Sequence, residues 1–169
     1  MSIVLNGTTG ITTPALDSVA QFSSADMPAG SVLQVVNATR PGASVSTTST
    51  TDVSWGAAAS IAPTSSSSKI YVIASGAWFL NSGNATEYAI AIQRNGATIP
   101  TAANDGLTNI YAAGLLAGSY VLTILDTPAT TSPITYLVVA HNINSGTSPL
   151  QNGIRATQLN QITLMEIAG

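Results

Sequence analysis

The side chains able to move protons or attack a substrate are few: one histidine, His141, and seven carboxylates, Asp17, Asp26, Asp52, Asp105, Asp126, Glu87 and Glu166. His141 lies near the end of an apolar run over 134–142, and Asp126 ends the run before it, over 119–126. The two are therefore expected across one hairpin. A carboxylate beside a histidine is part of a nucleophilic triad, in which it orients the imidazole that takes the nucleophile's proton. Serine is abundant enough that a third partner is no constraint, and the Gly-x-Ser-x-Gly elbow is absent. A strand-end histidine bonded to a neighbour is the simpler reading. Glycoside hydrolysis needs a facing pair of carboxyl groups, but these acids are scattered singly, mostly among turn formers, where Asp is ordinary. No His/Asp/Glu group has metal-ligand spacing, and no glycine-rich phosphate loop occurs. The expectation is a protein that is not an enzyme and has no cofactor or metal.

Composition sets the class. Of 169 residues, 45% are hydrophobic and only 7% charged, against about 25% charged in an ordinary soluble domain. Ser and Thr make up about a quarter of the chain. A surface solvated by hydroxyls has little repulsion to keep copies apart, which suits a member of an assembly. The net charge is −3, with four basic residues, Arg40, Lys69, Arg94 and Arg155. These build no phosphate-neutralising patch, so nucleic acid is not an expected partner. Cysteine is absent, which removes disulfides and thiolate metal sites. No apolar run approaches the roughly 20 residues of a membrane-spanning helix, so membrane insertion is not expected. The opening residues, Met-Ser-Ile-Val-Leu-Asn-Gly-Thr, lack the basic region of a signal peptide.

The elements follow from apolar patterning and turn punctuation. Residues 1–30 read as a separate anchor and linker. Ile3, Val4, Leu5, Ile11 and Leu16 are its apolar contacts, Pro14 could begin a short helix, and the whole segment buries too little to fold alone. Strands are expected over 32–37 and 45–55, the second an exposed, hydroxyl-rich edge with Val53 and Trp55 turned inward, and over 57–62. The run 69–80 is apolar on both faces. Ile70, Val72, Ala74 and Trp78 share one; Tyr71, Ile73, Ala77 and Phe79 share the other. A strand apolar on both faces needs cover on both, so Tyr71, Ile73 and Phe79 are expected at a contact between subunits.

Residues 81–84 read as a turn, 88–94 as a strand, and Asn95-Gly96 as a tight hairpin turn. Between 102 and 118 the pattern fits a strand or a short helix, with Gly114 and Gly118 interrupting either. Asn104, Asp105, Asn109 and Tyr111 there are the candidate contacts to a receptor. The central expectation is a hairpin: strands over 119–126 and 134–142 joined by a loop bracketed by Pro128 and Pro133. A last strand covers 160–168. Seven to nine strands without a long helix predict an all-β antiparallel β-sandwich of jelly-roll type over 31–169, preceded by a short extended N-terminal anchor.

Three stretches resemble one kind of protein. Val-Leu-Asn-Gly-Thr-Thr-Gly-Ile-Thr-Thr-Pro over 4–14 is similar to the connector of bacteriophage tail-fibre-like proteins. Met-Pro-Ala-Gly-Ser-Val-Leu-Gln-Val-Val over 27–36 resembles the opening of the C-terminal β-domain of such fibres. Leu-Asp-Thr-Pro-Ala-Thr-Thr over 125–131, Ile-Thr-Tyr over 134–136 and Ile-Thr-Leu-Met-Glu-Ile-Ala over 162–168 fit the same domain. The resemblance implies a structural virion protein on the particle surface, at the tail, baseplate or capsid. It further implies a homotrimer that docks other virion proteins through its N-terminal segment and presents loops to a host cell-surface glycan or protein. The shaft of a long fibre is missing, so a short fibre for host attachment and a capsid decoration or head fibre are the two readings that follow. A carbohydrate-binding module is the third.

Overall fold

The computed structural model describes residues 4–6, 10–12, 27–99 and 107–169. Ile3, Leu16, Asn104 and Asp105, the short helix expected after Pro14 and most of the linker lie outside them. All regular structure among the described residues is antiparallel strand. β1 (Val4–Asn6) and β2 (Gly10–Thr12) form a two-stranded sheet of their own, with Leu5 opposite Ile11. Val4, Leu5 and Ile11 of the expected anchor thus belong to a small hairpin.

The remaining nine strands make one sheet. They are β3 (Val32–Pro41), β4 (Ser46–Thr47), β5 (Val53–Ile61), β6 (Lys69–Arg94), β7 (Ala97–Ile99), β8 (Thr108–Asp126), β9 (Ile134–Asn142), β10 (Leu150–Gln151) and β11 (Leu159–Ile167). β6, 26 residues long, is the spine. Its first half carries β11 and then β3 on one side; its second half carries β9 and then β5. β8 follows the opposite side of β6 from Ile70 to Ile90. β5 also packs against β3 and β11, so the two wings face each other and the sheet is nearly a barrel.

The 81–84 turn is not formed. Those residues continue β6, and the register with β8 slips between Ser82 and Thr86. An Asn-Ser-Gly-Asn stretch accommodates an irregular step as readily as a reversal, and such a step bends a strand. The bend carries β6 from one wing to the other. Of the two forms expected between 102 and 118, the described part is strand, but Gly114 and Gly118 do not interrupt it, because β8 runs through both. Gly118 lies directly under the indole of Trp78.

The expected hairpin over 119–142 is also corrected. Both flanks are strands, but β8 pairs only β6 while β9 pairs β5 and β6. The loop between them therefore crosses from one wing to the other. Its two prolines and the positive φ of Ala129 (53°) shape an arch. The Asn95-Gly96 turn is as expected, with φ of 49° and 86° joining β6 to β7.

Inward residues of both wings form one core, with Ile70, Val72, Ala74 and Leu80 meeting Trp55, Tyr88, Ile90, Ile92, Tyr136 and Val138. Trp55 is wholly buried, as its strand pattern predicts, and its ring tilts against Tyr120 at 5.4 Å. Trp78 shares the inward parity of Ile70 and is half-buried. Tyr71, Ile73 and Phe79 face outward and are half-buried. On the second half of β6 the outer face is covered from within the chain: Ala89 and Ala91 are buried there, beside groups contributed by residues 52 and 98.

Candidate functional site

The structure separates His141 from Asp126. His141 ends β9 on its outer face, where its Nδ1 meets Asp52 Oδ1 at 2.7 Å. Because a carboxylate only accepts, the imidazole Nδ1 carries the proton. The other carboxylate oxygen accepts from Thr98 Oγ1 at 2.7 Å and Gln93 Nε2 at 2.9 Å. Burial pushes the Asp52 carboxyl up, but the bonds from Thr98, His141 and Gln93 outweigh it and hold the group below 3.8. The arrangement ties the segment ahead of β5 to the outer face of β6 and β9. A cleft of ≈ 240 Å³ beside it is lined by Thr50, His141, Asn142, Ile143 and Ser145. This oriented His–Asp pair spans 89 residues, so only the fold brings its members together.

Asp126 instead takes both contacts of Arg94 Nη1, at 2.8 and 2.9 Å, and the hydroxyl of Tyr136 at 2.7 Å. Burial first, and then the Asp126 carboxylate, push the Tyr136 phenol far up, so it stays a donor. This triangle fastens the far end of β6 to the first residues of β9 and the last of β8. It braces the arch between the wings.

Glu166 is in the same row of the sheet, with Ile70 between it and Asp126. It is fully buried. Gln34 Nε2 donates to it at 2.6 Å, and the Thr64 amide and hydroxyl at 2.7 and 2.8 Å. Burial pushes this carboxyl up, and the donors from Gln34 and Thr64 more than reverse that, leaving it below 4.5. Two carboxylates facing one end of the barrel invite a glycosidase reading, which needs one acid kept protonated. Glu166 is biased the other way and Asp126 is salt-bridged. Both act as acceptors that organise neighbouring strands. Beside Glu166 a cleft of ≈ 350 Å³ opens, lined by Met27, Leu33, Ala168, Gly169 and the hydroxyl residues 64, 65, 67 and 68.

A third polar group, missed in the sequence, runs through the interior. The Tyr120 hydroxyl donates to Asn160 Oδ1 at 3.1 Å, and Asn160 Nδ2 to the Asn152 carbonyl at 2.9 Å. Asn152 Nδ2 reaches the Trp55 carbonyl at 3.1 Å and Ser44 Oγ at 3.0 Å, while its Oδ1 accepts the Ser44 and Val45 amides at 2.9 and 3.0 Å. Gly76 makes room for this chain: a Cβ there would lie on the Asn160 carboxamide. The network joins β8, β11, β10 and β5. Asparagines inside turn-rich sequence look like turn formers, so no local signal marks them.

Of the expected receptor residues, Asn109 and Tyr111 are described. Both are on β8 and face outward, and Tyr111 is 69% exposed. Asn109 Nδ2 approaches Glu87 Oε1 at 3.4 Å across the β6–β8 ladder. They lie on a strand, one of the two forms expected of this stretch. Among the described residues no cluster of three or more His, Cys, Asp or Glu could hold a metal, and no helix is long and apolar enough to cross a membrane. No protein-family model matches this chain, and none of the curated proteins is similar to it.

Proposed function

We propose that this chain is a structural module displayed on a virion surface, binding a host-cell surface by contact rather than by chemistry. The observation that carries the reading is the state of its ionisable groups. Asp52, Asp126 and Glu166 are each saturated by bonds from the chain itself, while the outward strand faces offer apolar and hydroxyl groups. That is the surface of a rigid platform. The fibre resemblance of residues 4–14, 27–36, 125–131, 134–136 and 162–168 supplies the virion context. Copies held on one particle gain avidity from weak individual contacts.

Tyr111, with Asn109 beside it, is the contact residue this reading favours, since an exposed aromatic offers a stacking face at low entropic cost. Capsid decoration is the second reading, with the β1–β2 hairpin as the docking element. Particle adsorption to host cells separates the two. With Tyr111→Ala, adsorption should fall by about tenfold, the cost of losing one moderate hot spot. Unchanged adsorption, with the protein spread over the capsid, would favour decoration. Cleavage of a host polysaccharide by the purified chain would sink both.

A further inference from the structure

We infer that the open side of β8 is the site where a second copy of this chain adds, strand to strand, by two-fold antiparallel pairing. The inference stands on strand topology and does not depend on the display reading. Among the described residues the stretch 118–126 of β8 ladders only with β6, so its other side is an open ladder edge. An unpaired edge takes a strand as its partner.

The other edges of the sheet are guarded. β3 carries Arg40 and Pro41, and the outer edge of β5, which pairs only β9, is turned to β3, where Arg40 Nη1 reaches across to the carbonyls of Ser54 and Gly56 at 3.4 and 3.1 Å. β4 and β7 have two and three residues. β8 has 19, on the order of 60 Å at about 3.3 Å per residue. From Thr108 to Asp126 it contains no Lys, Arg, Glu or Pro, the residues that natural edge strands use to refuse a partner.

The identity of the partner follows from charge. In a two-fold pair each strand meets itself, so any outward charge would face a like charge. The one charge on β8 is Asp126, at its end and neutralised by Arg94. Centred on Leu122, the pairing sets Val121 against the partner's Thr123 and Ser119 against the partner's Leu125. Outward and inward faces stay matched. Val121 and Leu125 are 67% and 55% exposed. Leu125 also ends an apolar row, Val35–Met165–Tyr71–Leu125, across four strands. Edge pairing would bring the rows of both copies into one surface.

The test is the mass of the full chain in solution at micromolar concentration, by light scattering or sedimentation. Wild type should run at twice the 17.1 kDa chain mass, or an even multiple. The double variant Val121→Lys, Thr123→Lys should run as a folded monomer, because both positions face solvent on the edge. Val35→Lys, on the same outer face but far from β8, should keep the assembly. A monomeric wild type overturns the proposal, as does an assembly that survives the double lysine variant or dissociates only with Val35→Lys. A trimer also overturns it, since a two-fold pair closes at two, while leaving the display reading standing. Should the double variant misfold, hydrogen exchange on wild type decides. Alternate β8 amides should be protected in concentrated solution and lose that protection on dilution; exchange independent of concentration contradicts the pairing.

Discussion

Asn152 has no exposed surface, and its carboxamide serves two amides, a hydroxyl and a carbonyl at once. Truncating it strands several of those partners away from water, and each buried group left unsatisfied costs about 1–3 kcal/mol. Asn152→Ala should therefore lower the unfolding free energy by about 3 kcal/mol, read from the urea midpoint. Tyr120→Phe, which removes one neutral bond and leaves the ring in place, should cost about 1 kcal/mol. Glu166 gives a pH signature. Its folded-state pKa is below the ordinary 4.5, so the unfolded chain takes up a proton first as pH falls. Stability from this group is complete at neutral pH and is lost as the pH drops through 4.5 and below. Asp52 adds to the loss, beginning below 3.8. Glu166→Gln should flatten the acid limb of a plot of stability against pH; an unchanged limb would mean that the carboxylate is not the linked group.

At the scale of the element, short-range signals were legible and long-range pairing was not. Alternation located the inward set of β6, with Ile70, Val72 and Ala74 wholly buried, and Asn95-Gly96 marked a turn that the φ values bear out. The last strand was also readable, though not that it lies between β3 and β6. The errors share a cause. Turn-forming residues at 81–84, 114 and 118 looked like strand ends, yet a β-bulge and a glycine under an indole serve within a strand. Adjacent strands joined by a proline-bracketed loop looked like a hairpin, but an arch between wings has the same composition. The sequence pairs His141 with the carboxylate nearest along the chain, whereas β-topology supplies Asp52 from 89 residues away. Gly96, at φ 86°, tests the turn. Gly96→Val should destabilise by about 1–2 kcal/mol through left-handed strain, and a stability within error of wild type would contradict the turn geometry.

At the scale of the molecule the sheet nearly closes, and among the described residues the longest edge strand is β8. Asp52, Asp126, Glu166, Arg40 and Arg94 hold wings and arch together. The low charge fits the proposed pairing, since a protein that meets a second copy through strands gains nothing from surface repulsion. Fold class was legible because strand patterning and punctuation are local properties of the chain. Assembly geometry was not, since Tyr71, Ile73 and Phe79 mark an outer face without identifying what meets it. The central claim, a non-catalytic module displayed on a particle, is tested most directly by labelling intact virions with an antibody to residues 31–169 and imaging them by electron microscopy. The account predicts label at defined surface positions, on the tail or baseplate for attachment and over the shell for decoration. Particles without label, with the protein recovered only free in the lysate, would contradict it.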